Sequence, residues 1–400
     1  MKKRILILGS GFAGMWAAIS AARLTDLNNR QDVEISVLAP QPELRVRPRF
    51  YENNVASLVS PLGPLFAATG VTFIAGNVES IDTNEKTVWY ADAHGTKVSA
   101  HYDRLVLATG SNARQVPVTG ADKFTFDIDQ LSSAQVFEKH LASLVHQSPS
   151  EARNTVVVCG GGFTGIELAT ELPSRLQAIF GADTQTKVIV VERGAVVGGR
   201  YSQALRDVIE EASEALGIEW RLNADIVAID QTGVTLKDGS HIASSTVVWT
   251  GGVEANALTQ QLTAARDNQG RLYVDENLQV RGVPDVFATG DVANAATDDA
   301  GNTALMTCQH AIQLGKFAGN NVAASVIDLP PIPYRQVNYV TCLDLGNWGA
   351  VFTEGWDQKV KSIREEAKKI KIEITNELIY PPKADREIAF AAADPLAKFV

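Results

Sequence analysis

Cysteine is scarce in this chain of 400 residues: Cys159, Cys308 and Cys342 are the whole supply. Three thiols cannot build a disulfide scaffold, and such usage fits a reducing compartment. Long apolar runs are also missing. No stretch reaches the roughly 18 consecutive apolar residues that a membrane-spanning helix needs. Positive charge is in deficit, with 36 Lys and Arg against 46 Asp and Glu, for a formal net charge of -10. That balance argues against nucleic acid as a main partner. Otherwise the composition, 45% apolar and 20% charged, is that of a soluble globular enzyme of two or three domains.

What the chain does have is glycine at two fixed spacings. In Arg4-Ile-Leu-Ile-Leu-Gly-Ser-Gly-Phe-Ala-Gly14 a short buried strand, Ile5 to Leu8, runs into G-x-G-x-x-G at Gly9, Gly11 and Gly14, with a helix expected from near Phe12 and Ala13. In this pattern Gly9 permits the tight turn and Gly11 lets a pyrophosphate approach the backbone. Gly14 lets helix and strand pack closely. The helix then presents free N–H groups and its positive dipole end to the phosphates. Lys2-Lys3-Arg4, the apolar run and Ser20-Ala21-Ala22 also follow the plan of a secretory leader. The glycine spacing and a second strand behind it favour the nucleotide-binding unit.

That second strand, Val33 to Leu38, ends at Ala39-Pro40, where an Asp or Glu would ordinarily bind ribose hydroxyls. The acid is missing, and Arg45, Arg47 or Glu52 in the following basic segment are the candidates to replace it. Strands are expected at Val71–Ala75 and Thr87–Tyr90, with a turn at His94-Gly95. A buried strand then ends in the small residues Ala108, Thr109, Gly110 and Ser111, which let backbone approach a cofactor. Near Pro117 the chain crosses to another domain.

From Asn154 the device repeats. A strand, Thr155 to Cys159, leads into Gly160-Gly-Gly-Phe-Thr-Gly165, so that Gly160, Gly162, Phe163, Thr164 and Gly165 form the second turn. Its second strand, Lys187–Val191, does end in an acid, Glu192. A carboxylate there binds a free ribose diol and repels a 2′-phosphate, favouring NADH over NADPH. Trp249-Thr-Gly-Gly252 closes this domain, with Gly252 exposing backbone beneath a nicotinamide. Val286-Phe-Ala-Thr-Gly-Asp291 is the third small-residue strand end, its Gly290 and Asp291 suited to the first cofactor. A helix is expected from Cys308 to Ala324, then a proline linker at Pro330, Pro331 and Pro333. Strands at Tyr339–Leu345 and Trp348–Phe352 and a Lys/Glu-rich helix over Lys359–Glu377 complete the chain. The expected fold is α/β. Two Rossmann-like domains are anticipated, residues 1–117 with 255–328 for the first and 118–254 for the second, followed by a small α+β region over 329–400.

Together the two glycine motifs, Tyr102-Asp103 with Ala108-Thr109-Gly110-Ser111, and Thr289-Gly290-Asp291 resemble the two-dinucleotide-binding flavoprotein oxidoreductases. Within that superfamily the chain is most similar to the type II NADH dehydrogenases (NADH:quinone oxidoreductases). Pro48-Arg-Phe-Tyr51 resembles that family's Pro-Leu-Leu-Tyr segment. Gly160-Gly-Gly-Phe-Thr-Gly-Ile-Glu167 is similar to its second glycine motif, glutamate included. Cys308-Gln-His-Ala-Ile-Gln313 resembles its Ala-Gln-x-Ala-x-Gln quinone-site motif, with Cys for the first Ala. The resemblance implies FAD in the first unit and NADH in the second. It also implies a quinone-like acceptor at Gln309 and Gln313, no metal, and Glu167 orienting the nicotinamide or relaying a proton.

One departure is the C-terminal segment. The family ends in apolar helices that hold it to the bilayer. Here Ile363, Ala367, Ile370 and Ile374 make one apolar stripe, with Lys361, Arg364, Lys368 and Lys371 around it. Packing on the protein's own core or in a homodimer is expected, and a cytoplasmic protein, with peripheral contact to the inner face of the membrane as the alternative.

Disulfide reductases need a cysteine pair early in the first domain, and none precedes Cys159. Sulfide:quinone oxidoreductases need two cysteines flanking the flavin. Cys342 resembles one of them, and Cys308, at a helix start that stabilises thiolate, would be its partner. Apoptosis-inducing-factor-like flavoproteins, which use NADH as a ligand, share the same architecture.

Overall fold

The computed structural model describes residues 2–114 and 116–397. Its first sheet has seven strands and is built on Lys3–Leu8. That strand pairs in parallel with Val33–Ala39 on one side and Arg104–Leu107 on the other. Ile5 to Leu8 are all buried, as a central parallel strand covered on both faces requires. Val286–Ala288 adds in parallel beyond Arg104–Leu107. The other edge is extended by Thr72–Asp82 and then by an antiparallel meander through Thr87–Asp92 and Lys97–His101. The chain therefore leaves this sheet after Leu107 and returns to the adjacent position at Val286.

In between lies a second, four-stranded parallel sheet ordered Ile218–Arg221, Lys187–Val191, Thr155–Cys159, Thr246–Trp249. A three-stranded antiparallel sheet, Ile226–Asp230, Gly233–Leu236 and His241–Ala243, accompanies it. The outgoing and returning connections, Ser111–Ala113 and Val253–Ala255, pair with each other as a two-stranded antiparallel ribbon.

Each glycine turn opens a long helix, Phe12–Leu27 and Phe163–Phe180. The first packs along the helix Cys308–Val326. An ideal Cβ on Gly315 would stand 2.5 Å from the Ala13 carbonyl oxygen, and one on Gly319 would stand 2.1 Å from that of Ala17. Only glycine admits this approach. The contact sets where the Cys308 end of the helix reaches the first glycine turn.

The C-terminal part departs from expectation. Lys359–Glu377 is not one helix. Lys359–Ile363 is the third strand of an antiparallel sheet with Val340–Asp344 and Ala350–Glu354. The helix runs only from Arg364 to Glu373 and continues as a π-helical turn over Ile374–Leu378. The strand expected at Trp348 begins two residues later, because Gly346 and Gly349, both at positive φ, close a tight turn around Trp348. The buried side of the helix is Ala367, Lys371 and Thr375, not the isoleucine stripe. Ile363 is exposed on its strand, and Ile370 and Ile374 are half-buried. Among the described residues no helix is long and apolar enough to cross a membrane.

Candidate active site

One continuous cleft of about 2760 Å³ runs between the seven-stranded sheet, the four-stranded sheet and the C-terminal sheet. Pockets for a single small molecule measure roughly 300–1,000 Å³, so this cleft has room for two extended ligands. Gly11, Phe12, Ala13, Arg47, Ala108, Thr109, Gly110, Gly290 and Asp291 line it from the first sheet. Gly160, Gly162, Phe163, Thr164, Glu192 and Gly252 line it from the second. Glu167, Gln309 and Gln313 also face it. Gly9, Gly14 and Gly165 lie beneath the lining. An ideal Cβ on Gly14 would be 2.0 Å from the Gly9 carbonyl oxygen, and one on Gly165 would be 2.0 Å from that of Gly160. They are the packing glycines of their turns.

The two turns fit pyrophosphates. Both helices start at a glycine N-cap, Gly11 or Gly162, that supplies no side-chain acceptor for the first-turn N–H groups. By contrast Thr307, which caps the Cys308 helix, accepts from the His310 N–H. Among the described residues no atom lies within 4 Å of an ideal Cβ on Gly11 or Gly162, so open space stands in front of both. Among the described residues Thr109 Oγ1, Thr289 Oγ1 and Gln309 Oε1 are buried without a protein hydrogen-bond partner, and all three residues line the cleft. Buried polar atoms are rarely left so, and here they face the space a ligand would fill.

Arg47 is not a free basic side chain. Its guanidinium donates to Ser111 Oγ at 2.8 Å and pairs with Asp129, with Asp291 at 3.6 Å. Ser111 Oγ in turn donates to Asp291 at 2.6 Å. Burial pushes the Asp291 carboxyl above its ordinary pKa, against the pull of Arg47 and Ser111. Of the other candidates for the missing ribose acid, Glu52 is held by Arg49 and Arg45 by Glu43. Glu192 accepts from the Gly161 N–H and the Gly194 N–H, both at 2.8 Å, and so braces the second turn from its strand end.

Glu167 is 4% exposed and forms an ion pair with Lys371 at 2.6 Å. The same oxygen accepts from the Asp344 N–H at 3.0 Å. Burial drives the Glu167 carboxyl up to about 7, with Lys371 opposing and Asp344 adding to the rise. For Lys371, burial works to lower the pKa and Glu167 outweighs it, leaving it raised. Sequence reasoning missed Lys371 and Asp344. Ala367, Lys371 and Thr375 recur every fourth residue, which is a buried helical stripe with a lysine in the middle.

At the two thiols that sulfide chemistry would use, burial works against thiolate formation. Cys308 opens its helix, yet burial pushes its pKa up to about 11. Cys342 is pushed up to about 12 for the same reason. Cys159, buried on its strand, is raised further still by burial.

Two sheets with parallel centres and an uncapped glycine turn each, facing one cleft, define an oxidoreductase of the two-dinucleotide class. The chain belongs to the pyridine nucleotide-disulphide oxidoreductase family, whose match spans residues 3–315. An "NADH dehydrogenase-like protein" of Mycobacterium tuberculosis is 41% identical over 397 residues, covering 98% of each chain. The "type II NADH:quinone oxidoreductase" of Staphylococcus haemolyticus is 24% identical, over 86% of this chain and 88% of its own. Among solved structures, an NDH2 of Plasmodium falciparum in complex with NADH matches with TM-score 0.79 at 15% identity, over 98% of both chains. The sulfide:quinone oxidoreductase of Aquifex aeolicus matches with TM-score 0.77 at 18% identity, over 97% of this chain and 92% of its own. At these identities the structural matches speak for the fold.

Proposed function

We propose that the chain is an FAD-dependent NADH:quinone oxidoreductase. The observation that carries this reading is the single cleft shared by two uncapped glycine turns and by Gln309 and Gln313. Residues 1–117 and 255–328 would hold FAD, residues 118–254 NADH, and 329–400 would close the cleft. The Gly9–Gly14 turn takes the FAD pyrophosphate, and Arg47, Ala108–Gly110, Gly290 and Asp291 take the rest of that cofactor. Gly160–Gly165, Glu192 and Gly252 take NADH in preference to NADPH. FAD, when bound, accepts a hydride and returns two electrons to an acceptor.

The chain's own residues then have distinct tasks. The Cys308–Val326 helix turns its N-terminal, positive end toward the cleft, where negative charge is stabilised. Gln309 and Gln313 stand one turn apart and offer uncharged donors to the carbonyl oxygens of a quinone. Glu167 lies where it can hold or release a proton near neutral pH. The overall reaction, NADH + H⁺ + quinone → NAD⁺ + quinol, takes one proton from water. We place the protein in the cytoplasm, as a monomer or homodimer, with peripheral contact to the membrane through the Arg364–Glu373 helix as the way to meet a lipid-borne quinone.

Gln309→Ala and Gln313→Leu test this assignment. Each removes one or two hydrogen bonds at ~0.5–1.5 kcal/mol apiece, so quinone reoxidation should slow by roughly 2- to 150-fold. Reduction by NADH should stay within about twofold of the parent, since no hydride contact is lost. Equal loss in both half-reactions, followed by stopped-flow absorbance, would mean the glutamines only support the fold.

A further inference from the structure

Three aromatic rings stand together where the Cys308–Val326 helix begins. Tyr339 lies flat against Trp356, with ring centroids 4.5 Å apart and planes 20° from parallel. His310, the third residue of the helix, packs against them at 5.5 and 5.9 Å. Stacking of this kind fixes where a ring sits and which way it points. The main chain holds it too, because the Tyr339 carbonyl accepts from the Gly355 N–H at 2.8 Å. Burial first, and then Arg271, push the His310 imidazole down to about 4, so it is uncharged near neutral pH. Tyr339 therefore stands beside the helix turn that carries Gln309, in uncharged surroundings.

Its ring is anchored and its hydroxyl is not. Tyr339 is 8% exposed and lines the cleft, yet among the described residues its hydroxyl has no hydrogen-bond partner. A buried phenol ordinarily finds one. Burial keeps this one protonated, its pKa pushed up to about 12. Tyr201 lines the same cleft from the second domain, and its phenol is raised by burial, then by Tyr339 and Glu167. Tyr339 thus offers a neutral O–H to the cleft that Glu167 and the unpartnered Gln309 Oε1 also face.

We propose that the Tyr339 hydroxyl is a further donor to the electron acceptor, hydrogen-bonded to a carbonyl oxygen of the quinone. This rests on the quinone reading and deepens it, adding a contact from the C-terminal region to those of Gln309 and Gln313. In the overall reaction the hydride of NADH brings two electrons and one proton, and water brings the second proton. Each quinone C=O becomes C–O–H, and negative charge gathers on the carbonyl oxygens on the way. A fixed, neutral donor stabilises that charge and has no counter-ion to desolvate. The Tyr339 O–H bond does not break, so the phenol consumes no reactant.

The test is stopped-flow reoxidation of the NADH-reduced holoenzyme by two acceptors, a water-soluble benzoquinone and ferricyanide, which has no carbonyl group. Tyr339→Phe keeps the ring and its stacking on Trp356 and removes only the hydroxyl. Reoxidation by the benzoquinone should slow by roughly 10- to 150-fold, the loss of one hydrogen bond to a charged oxygen. Reoxidation by ferricyanide and reduction by NADH should both stay within about twofold of the parent. Fluorotyrosine at position 339, a more acidic phenol of nearly the same size, keeps the test alive if Tyr339→Phe fails to fold. It should be reoxidised by the benzoquinone faster than the parent and by ferricyanide at the parent's rate. A Tyr339→Phe protein that the benzoquinone reoxidises at the parent's rate would overturn the contact. So would equal losses with both acceptors, a loss confined to NADH reduction, or no gain from fluorotyrosine. A parent that no quinone reoxidises would overturn the functional reading itself, and the two failures are distinct.

Discussion

Gly11→Val should give a folded protein that purifies colourless, whereas Gly162→Val should give a yellow one that NADH cannot reduce. Both glycines have ordinary extended backbone, with φ of -66° and -78°, which valine adopts without strain. Neither would-be Cβ meets an atom within 4 Å, so the apo fold has no reason to fail. The new methyl groups stand where a pyrophosphate must come down on the uncapped N–H groups. Losing two charge-assisted hydrogen bonds at ~1.5–3 kcal/mol each weakens binding by roughly 100- to 10,000-fold. The pair of variants also separates the two sites. Flavin content and circular dichroism check the first, and photoreduction against NADH reduction checks the second. Gly14→Val is a different experiment, because its Cβ would collide with the Gly9 carbonyl and break the turn itself.

Lys371→Met should be the most destabilising single change in the C-terminal region, at about 3–5 kcal/mol near neutral pH and above. The pair is nearly closed to water, its side chains 6% and 5% exposed, so removing the ammonium leaves Glu167 without its counter-ion. The Glu167 carboxyl, already raised by burial, then rises further. An acid whose folded pKa lies above its unfolded value costs stability once pH exceeds the unfolded value, and the cost grows until the folded pKa is passed. The loss should therefore be small at pH 5 and large at pH 8. Glu167→Gln in the same chain should recover most of it, since the uncompensated charge is gone. Thermal melts of the four proteins of this double-mutant cycle at both pH values measure it. A loss independent of pH would mean that Lys371 acts by packing alone.

The first 320 or so residues were legible because their signals are local. Continuous apolar strands running into glycine turns specify parallel strands and their helices within a few residues. The strands Val33–Ala39, Thr155–Cys159 and Lys187–Val191 and the helix from Cys308 lie within a residue or two of their expected places. The C-terminal helix was misread because its pattern has a distant cause. Lys371 looks like one more charge beside an isoleucine stripe until Glu167, 204 positions away, appears opposite it. Periodicity cannot see a partner on another element. Arg47 had the same fate. In the sequence it is one of several basic residues, and only the return of the chain at Asp291 and the crossing segment at Asp129 give it an environment. The missing acid at Ala39 is plain in the sequence itself. The strand end carries none, and the Ser10 hydroxyl there donates to the Gln41 and Glu43 carbonyls instead.

The central claim is that one cleft couples NADH oxidation to quinone reduction through a bound flavin. It is tested most directly by anaerobic stopped-flow absorbance of the flavin in two mixes. The first mixes purified protein with one equivalent of NADH, and the second mixes the reduced protein with a quinone. The account predicts bleaching in the first, full recovery of the oxidised spectrum in the second, and one quinol formed per NADH. Bleaching by NADH with no recovery on adding any quinone would contradict it.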